Sequence, residues 1–235
     1  MVNVEHLSYN FGAYWALKDI SFSLDKGEFL FLTGHSGAGK TTLLRLLYGA
    51  LPMTRGRASV AGFQLNALKK RHIPQLRRKV GVVFQDFKIL LDRTVFDNVA
   101  MALEVRGMPR THLERRVRAI IRAMGLETKS YSICERLSGG EQQRVAIARS
   151  MVANPELILA DEPTGNLDIE LTMHLMEIFK QFNTYGTSVI MATHSHKVLE
   201  CVPNARILHL HDGHLMDVSK PMTENEEPIL GEVQS

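Results

Sequence analysis

The chain has 235 residues, of which 45% are hydrophobic and 23% are charged, and its formal net charge is +3. This length and composition are typical of a soluble globular protein with one large domain, or with one domain that carries a subdomain. No apolar run approaches the roughly 18 residues that cross a bilayer, so a membrane-spanning helix is not expected. The net charge is too small to argue for a nucleic-acid-binding protein.

The predicted elements alternate along the chain. Segments with the apolar pattern of strands are residues 2–7, 20–24, 28–32, 80–84, 157–160 and 188–191. Segments with helical spacing are residues 41–48, much of 94–153, and 168–182. Strands that alternate with helices predict an α/β fold with parallel strands. The helical stretch in the middle predicts a helical subdomain, at about residues 86–154, inserted into a domain that spans residues 2–218.

Two helix starts have the form of a capping box, in which a Ser or Thr is followed three residues later by Glu. Thr111 with Glu114 predicts a helix that Gly125 ends, and Ser138 with Glu141 predicts a second helix. After Val218 the chain has one Lys against four Glu and little apolar content. This composition predicts a disordered acidic tail at residues 219–235.

Cysteine usage and the start of the chain both favour the cytoplasm. Cys134 and Cys201 show no CxxC or CxxxH pattern, so neither structural disulfides nor zinc are expected. The first residues lack the basic and apolar regions of a secretory signal. Between Asn66 and Lys79 lie six basic residues and no acidic one. They form either a solvated face or a patch that lies near anionic lipid headgroups.

A glycine-rich motif follows the strand predicted at 28–32. Its residues are Gly34, His35, Ser36, Gly37, Ala38, Gly39, Lys40 and Thr41, which fit the P-loop pattern G-x-x-x-x-G-K-[ST]. Glycines allow backbone N–H groups to turn around phosphates at a helix N-terminus. Lys40 then reaches the β- and γ-phosphates, the Thr41 hydroxyl ligates Mg²⁺, and Thr42 adds a phosphate contact. The motif predicts ATP and Mg²⁺ as ligands.

The apolar strand at 157–160 ends in two carboxylates, Asp161 and Glu162, which is the Walker B pattern. A buried strand of this kind delivers Asp161 to the metal, through water. Glu162 can then orient and polarise the water that attacks the γ-phosphate.

Residues 137–144 read Leu-Ser-Gly-Gly-Glu-Gln-Gln-Arg, which resembles the LSGGQ signature of ABC ATPases. Considered alone, the segment is a capped helix start with unpaired N–H groups that form an anion site. The resemblance implies more: Ser138, Gly139, Gly140 and Gln142 would meet the γ-phosphate held by a second copy of the chain. It therefore implies a homodimer on ATP binding and an ABC ATPase domain with an inserted helical subdomain and an antiparallel β subdomain.

The same resemblance assigns further residues. Gln85 matches the Q-loop glutamine, which touches Mg²⁺ and the attacking water, and His194 matches the switch histidine. Asp168 matches the D-loop aspartate, although it could equally be only the N-cap of the next helix. The adenine-stacking aromatic falls on Phe11, with Tyr9, Tyr14 and Trp15 as competitors. Ser195 departs from the family pattern, in which aspartate usually follows the histidine.

The segments 33–40 and 84–100 resemble the FtsE family of cell-division ABC ATPases, and 160–168 is shared with lipoprotein-release and macrolide-export ATPases. The resemblance implies an ATPase subunit at the cytoplasmic face of the inner membrane, with FtsX as its integral membrane partner and control of cell-wall hydrolases as its role. It also implies association with FtsZ. The alternatives are an ATPase of the lipoprotein-release or macrolide-export type, a soluble ABC ATPase that acts on nucleic acid, or a module that binds ATP without hydrolysing it. No nucleic-acid partner is expected.

Overall fold

The computed structural model describes residues 1–165 and 167–218. The tail predicted at 219–235 lies outside the described residues. The strands are β1 Val2–Phe11, β2 Tyr14–Leu24, β3 Phe29–Thr33, β4 Arg55–Val60, β5 Phe63–Gln64, β6 Val80–Val83, β7 Leu157–Asp161, β8 Ser188–Ala192, β9 Arg206–His211 and β10 His214–Val218. The helices of more than one turn are α1 Lys40–Leu47, α2 Ile73–Lys79, α3 Val95–Glu104, α4 Arg110–Ala123, α5 Gly139–Met151, α6 Ile169–Thr184 and α7 His196–Glu200.

A six-stranded sheet with the order β10-β9-β3-β8-β7-β6 forms the centre of the molecule. All its pairings are parallel except that of β10 with β9. Strands β3, β7 and β8 are almost wholly buried, as expected for parallel strands covered on both faces. The predicted parallel α/β fold is confirmed. Because parallel strands end at one edge, the residues after β3, β6, β7 and β8 meet there.

Successive residues of this sheet point to opposite faces and join two separate cores. Leu30 and Leu32 belong to the core that contains α1 and the apolar residues of β1, β2 and β4. Phe29 and Phe31 belong to the core that contains residues from α3 to α6. The central strand is therefore fixed from both sides, and the loop that follows it starts from a rigid position.

A second sheet is antiparallel and has the order β2-β1-β4-β5. It is the antiparallel β subdomain that the family resemblance implied. Strands β1 and β2 are longer than the predicted strands at 2–7 and 20–24, and β4, β5, β9 and β10 were not predicted. Strand β9, which pairs with β3, was missed although His209 and His211 alternate with leucines in it, which is a strand pattern.

Three helices, α3, α4 and α5, lie between β6 and β7, where the inserted helical subdomain was expected. The capping box at the start of α5 is confirmed: the Ser138 hydroxyl accepts from the N–H of Glu141, whose carboxylate accepts from the N–H of Ser138. The capping box predicted at Thr111 is wrong. The N-cap lies two residues earlier, at Pro109 with φ −58° and ψ 140°, so helix α4 begins at Arg110.

The basic stretch at 66–79 contributes partly to the fold. Arg77 donates to the backbone oxygens of Tyr48 and Gly49, and Lys79 forms an ion pair of 3.0 Å with Glu156. Lys69, Lys70 and Arg71 are exposed. For these three residues the two alternatives, a solvated face and a patch near anionic lipid headgroups, both stay predictions.

Candidate active site

A cleft of about 750 Å³ opens at the edge where the parallel strands end. The predicted site residues that line it are Phe11, Gly34, His35, Ser36, Gly37, Gly39, Lys40, Thr41, Thr42, Gln85, Asp161, Glu162 and His194. Tyr14, Ala16 and Gly165 also line it. Ala38 is buried and does not line the cleft, and its predicted contact with ATP stays a prediction. The residues come from the ends of β1, β3, β6, β7 and β8 and from α1, so the sheet topology brings them together.

Close packing explains why two positions of the P-loop are glycine. Gly34 has φ +138°, and a Cβ built on it would lie 2.1 Å from the backbone oxygen of Leu210. Gly39 has φ +107°, and its Cβ would lie 2.5 Å from the backbone oxygen of Ala16. Both backbone conformations also strain any residue with a side chain. The loop is therefore pressed against β9 on one side and β2 on the other.

Lys40 opens α1 and is 9% exposed. Its Nζ donates to the backbone oxygens of Gly34, at 2.7 Å, and of His35, at 3.1 Å. The first turn of α1 has no acidic residue, and Gly39 provides no side-chain cap. A buried ammonium group, uncapped N–H groups and the positive end of the helix dipole thus face the same cleft, which favours an anion such as a polyphosphate.

Asp161, at the end of β7, lies beside Thr41 at the floor of the cleft. Burial raises the pKa of Asp161, and the neighbouring Glu162 raises it further, while a hydrogen bond from Thr41 and the charge of Lys40 oppose this. Gln85 lines the same cleft. Carboxylate, hydroxyl and amide oxygens are the donors that Mg²⁺ prefers, and one or two protein ligands suffice when phosphates supply the others. The donor set fits Mg²⁺.

Glu162 follows directly, with a backbone φ of +49°, which is uncommon for a residue with a side chain. Its N–H donates to the backbone oxygen of Ala192 at 3.0 Å, so β8 holds this turn. Its Oε1 lies 2.9 Å from Nδ1 of His194. A carboxylate only accepts hydrogen bonds, so with Glu162 in that form Nδ1 of His194 is the donor. Strained backbone held in this way is typical of functional sites.

Four aromatic residues were candidates for stacking on adenine, and two of them lie at the rim of the cleft. Phe11 and Tyr14 line the cleft and are 51% and 59% exposed. Tyr9 is buried and packs edge-on against Phe11, at 5.0 Å between ring centroids. The guanidinium carbon of Arg55 lies 4.9 Å from the ring centroid of Trp15, and Trp15 does not line the cleft. Only Phe11 and Tyr14 are placed to stack on a base.

A family model described as ABC transporter matches residues 17–165. The chain belongs to the ABC transporter family of ATP-binding proteins. The match spans the P-loop, the signature segment and both carboxylates at the end of β7. The predicted ABC ATPase fold and enzyme class are confirmed.

Curated relatives of this ABC ATPase carry the name "Cell division ATP-binding protein FtsE". The relative from Mycobacterium tuberculosis is 45% identical over 218 residues, which cover 92% of this chain and 94% of that protein. The relative from Escherichia coli K12 is 45% identical over 216 residues, which cover 92% of this chain and 97% of that protein. The relative from Bacillus subtilis is 43% identical over 198 residues, which cover 84% of this chain and 86% of that protein. These relatives confirm the resemblance to the FtsE family.

Among solved structures, the ATP-binding cassette MJ0796 is similar over 95% of this chain and 100% of its own length, with a TM-score of 0.87 and 31% identity. One of its structures is a dimer in a post-hydrolysis state bound to ADP and Pi. Within residues 1–165 and 167–218 of our ABC ATPase, no helix has the length and apolar character needed to cross a membrane.

The signature residues of this ABC ATPase do not reach the chain's own cleft. Ser138, Gly139 and Gly140 begin α5 and are absent from the lining of the nucleotide cleft. The Gln142 amide instead donates to the backbone oxygens of Cys134 and Leu137, at 3.1 and 3.3 Å, and holds the turn before the helix. Asp168 caps α6 by accepting from the N–H of Leu171 at 2.8 Å. Within a single chain it is therefore the N-cap of this helix.

Sequence reasoning missed two histidines beside the P-loop, His209 and His211, of which His211 lies near the predicted residue His35. His35 Nε2 lies 3.2 Å from Asp212 Oδ1, and the rings of His35 and His211 are 5.5 Å apart. His209 Nδ1 lies 3.1 Å from the Thr33 hydroxyl, at the end of β3. The alternation of His209 and His211 with leucines was the available signal, but strand pairing with β3 was needed to interpret it.

Proposed function

We propose that the chain is the ATP-hydrolysing subunit of a cell-division ABC complex of the FtsE type, which works as a dimer and drives an integral membrane partner, FtsX. The observation that carries the proposal is the convergence of Lys40, Asp161, Glu162 and His194 around one cleft beside uncapped helix N–H groups. The names of the relatives support the cell-division role.

Nucleotide binding rests on the P-loop and the rim. The N–H groups of residues 36–42 and the Lys40 ammonium would bind the phosphates of ATP, with Lys40 exchanging its bonds to the Gly34 and His35 carbonyls for phosphate oxygens. The exposed ring of Phe11 would stack on the adenine, and Tyr14 is the competing platform.

Thr41 and Asp161 would hold Mg²⁺, with Gln85 as the third protein group. A Mg²⁺ ion held there would supply positive charge that offsets the charge of the phosphates. Because Asp161 is buried and its carboxylate is costly to keep charged there, a cation in the cleft would lower its pKa and stabilise the ionised form.

Hydrolysis is assigned to Glu162 and His194. The Glu162 carboxylate orients and polarises a water molecule for attack on the γ-phosphorus, in line with the β–γ bridging oxygen that leaves. The imidazole of His194 holds this carboxylate through Nδ1 and would contact the γ-phosphate through its other edge. Gln85 would contact the same water molecule from the end of β6.

The dimer follows from the position of the signature. The capping box at the start of α5 engages the N–H groups of Ser138 and Glu141 and leaves those of Gly139 and Gly140, and these residues do not line their own nucleotide cleft. An anion site of this kind can complete the active site of a second copy. The dimeric state of MJ0796 supports this arrangement. Gln142 would shape the signature turn, and Asp168 with the D-loop would lie along the interface.

The remaining partners are those that the resemblance to the FtsE family implies. An FtsE-type subunit would lie at the cytoplasmic face of the inner membrane, bound to FtsX, and would control cell-wall hydrolases through it. Association with FtsZ is part of the same proposal. A lipoprotein-release or macrolide-export complex would use the same chemistry with another membrane partner.

The test has two parts. Calorimetry with MgATP should show tight binding by the wild-type chain and no measurable binding by Lys40→Ala. Lys26→Ala is the matched control, because Lys26 is exposed and precedes β3 at the opposite edge of the sheet. Unchanged affinity in Lys40→Ala would refute the nucleotide site. Co-expression with FtsX or with a lipoprotein-release membrane subunit, followed by affinity purification, then decides the partner: retention by the latter alone would overturn the cell-division assignment.

A further inference from the structure

Gln143 connects the signature helix to the turn that carries Glu162. It lies in the second turn of α5, three residues after Gly140, and is 1% exposed. Its Nε2 donates to the backbone oxygen of Pro163 and to that of Glu162, the latter at 3.4 Å. The side chain therefore leaves the helical subdomain and binds the backbone at the end of β7.

The orientation of this amide is fixed by its neighbours. Both nearby atoms are carbonyl oxygens, so only the NH₂ group of Gln143 can face them. Its Oε1 is buried and has no hydrogen-bond partner within the described residues. A buried acceptor without a partner costs stability, so packing alone gives no reason for glutamine at this position.

The turn that Gln143 binds needs support. Glu162 has φ +49°, and its N–H and C=O are bonded to Ala192 O, at 3.0 Å, and Gly165 N–H, at 3.3 Å. Both of those contacts come from the sheet or from the turn itself. Gln143 adds a contact from the helix whose first residues form the signature.

We propose that Gln143 is a positioning residue, through which the signature helix α5 sets the placement of the Glu162 carboxylate for hydrolysis. This inference rests on the proposed function. One rigid helix then contributes its N-terminus to the nucleotide of a second copy and, one turn later, holds the water-activating group of its own cleft. Closure on one nucleotide and water activation at the other are thereby linked mechanically.

The decisive variant is Gln143→Met, which keeps the length of the side chain and removes both the donor and the unpartnered oxygen. We expect kcat to fall about tenfold or more, while KM and the calorimetric Kd for MgATP stay within about twofold and the Tm does not fall. Because nucleotide binding and the signature are intact, the variant should accumulate as an ATP-bound dimer in light scattering.

Gln143→Glu provides a rescue experiment. A carboxyl group buried against two carbonyl oxygens is expected to have a raised pKa, and its protonated form can donate one hydrogen bond in place of the amide. The rate of Gln143→Glu relative to wild type should therefore rise as the pH falls from 8 to 6, whereas the relative rate of Gln143→Met should stay flat. A merely structural role predicts no such difference.

Ser150→Ala is the matched control. Ser150 is a buried polar residue of the same helix, and its hydroxyl donates to Ile147 O at 2.8 Å. We expect its kcat to equal that of wild type. Wild-type kcat in a folded Gln143→Met, or equal loss of kcat in Ser150→Ala, would overturn the inference. Failure of the proposed function appears elsewhere, as absent ATP hydrolysis by the wild-type chain.

Discussion

Oε1 of Glu162 lies 2.9 Å from Nδ1 of His194, and the two residues follow strands that pair directly. Strand β7 pairs with β8 in a register that sets Asp161 opposite Ala192. Glu162 follows Asp161 by one residue and His194 follows Ala192 by two, so both side chains lie at the same edge of the sheet. The Glu162 side chain is only 15% exposed, whereas that of His194 is 75% exposed. The carboxylate is sheltered, and the imidazole covers it from the open side of the cleft.

We predict that Glu162→Gln separates binding from hydrolysis. The amide keeps the shape of the side chain but removes the charge that polarises water. Steady-state phosphate release should fall about 10²-fold or more, the range of a general base, while calorimetric affinity for MgATP persists. With the signature intact, the variant should accumulate as a dimer in MgATP, seen by light scattering.

Ser138→Arg is the counterpart, because a bulky charge at the start of α5 should prevent the dimer while leaving the P-loop unchanged. A Glu162→Gln protein that stays monomeric in MgATP, even with its membrane partner present, would contradict the sandwich arrangement. Full hydrolysis by that variant would remove Glu162 from the catalytic role.

The adenine platform gives a second prediction. Phe11→Ala should weaken ATP binding by about 1–3 kcal/mol, the scale of one base–aromatic stack. Trp15→Ala is the control and should leave affinity unchanged, because Trp15 lies beneath Arg55 and outside the cleft. A larger loss in Tyr14→Ala than in Phe11→Ala would transfer the platform to Tyr14. Calorimetry with ATP measures all three.

A third prediction compares two glycines of the P-loop. Gly34→Ala would place a Cβ 2.1 Å from Leu210 O and force β9 or the loop to move, whereas a Cβ on Gly37 meets no atom within 4 Å. Gly37 has φ +84°, so Gly37→Ala should cost only backbone strain, about 1–2 kcal/mol. Gly34→Ala should cost clearly more in denaturant unfolding. Equal losses would show that the packing against β9 is loose.

The fourth prediction concerns pH. Burial lowers the pKa of His209, and His211, His35 and Lys40 lower it further. The folded state therefore binds fewer protons here than the unfolded state. The stability that neutral His209 contributes is present above its unfolded pKa of about 6.5 and is lost as the pH falls below it.

The Tm should consequently decrease between pH 7.5 and 5.5, and His209→Asn should reduce that decrease. His112→Asn, at an exposed position on α4, should leave the decrease as in wild type. The same pH dependence in wild type and His209→Asn would show that other groups cause it.

Local sequence determined the chemistry of this protein. The buried run of β3, the glycines and lysine after it, and the carboxylates after β7 are each contained within about ten consecutive residues. Strand burial and the helix dipole act over that same distance, so the fold class and most of the residues that line the cleft could be predicted. The capping box at Ser138 could be predicted for the same reason. The capping box at Thr111 was wrongly predicted, because Pro109, two residues earlier, is the N-cap of α4.

Tertiary structure decided what depends on partners distant in the chain. The Leu210 carbonyl leaves no room for a Cβ at Gly34, and His194 hydrogen-bonds Glu162. Trp15 packs against Arg55, and Gln143 hydrogen-bonds the backbone at Pro163. None of these pairs shares a local pattern, because their separations in sequence are set by the order of strands in the sheet and by the helices inserted between them. Which side chains meet is therefore fixed by packing and hydrogen bonding between elements, and a single sequence holds no periodic signal for either.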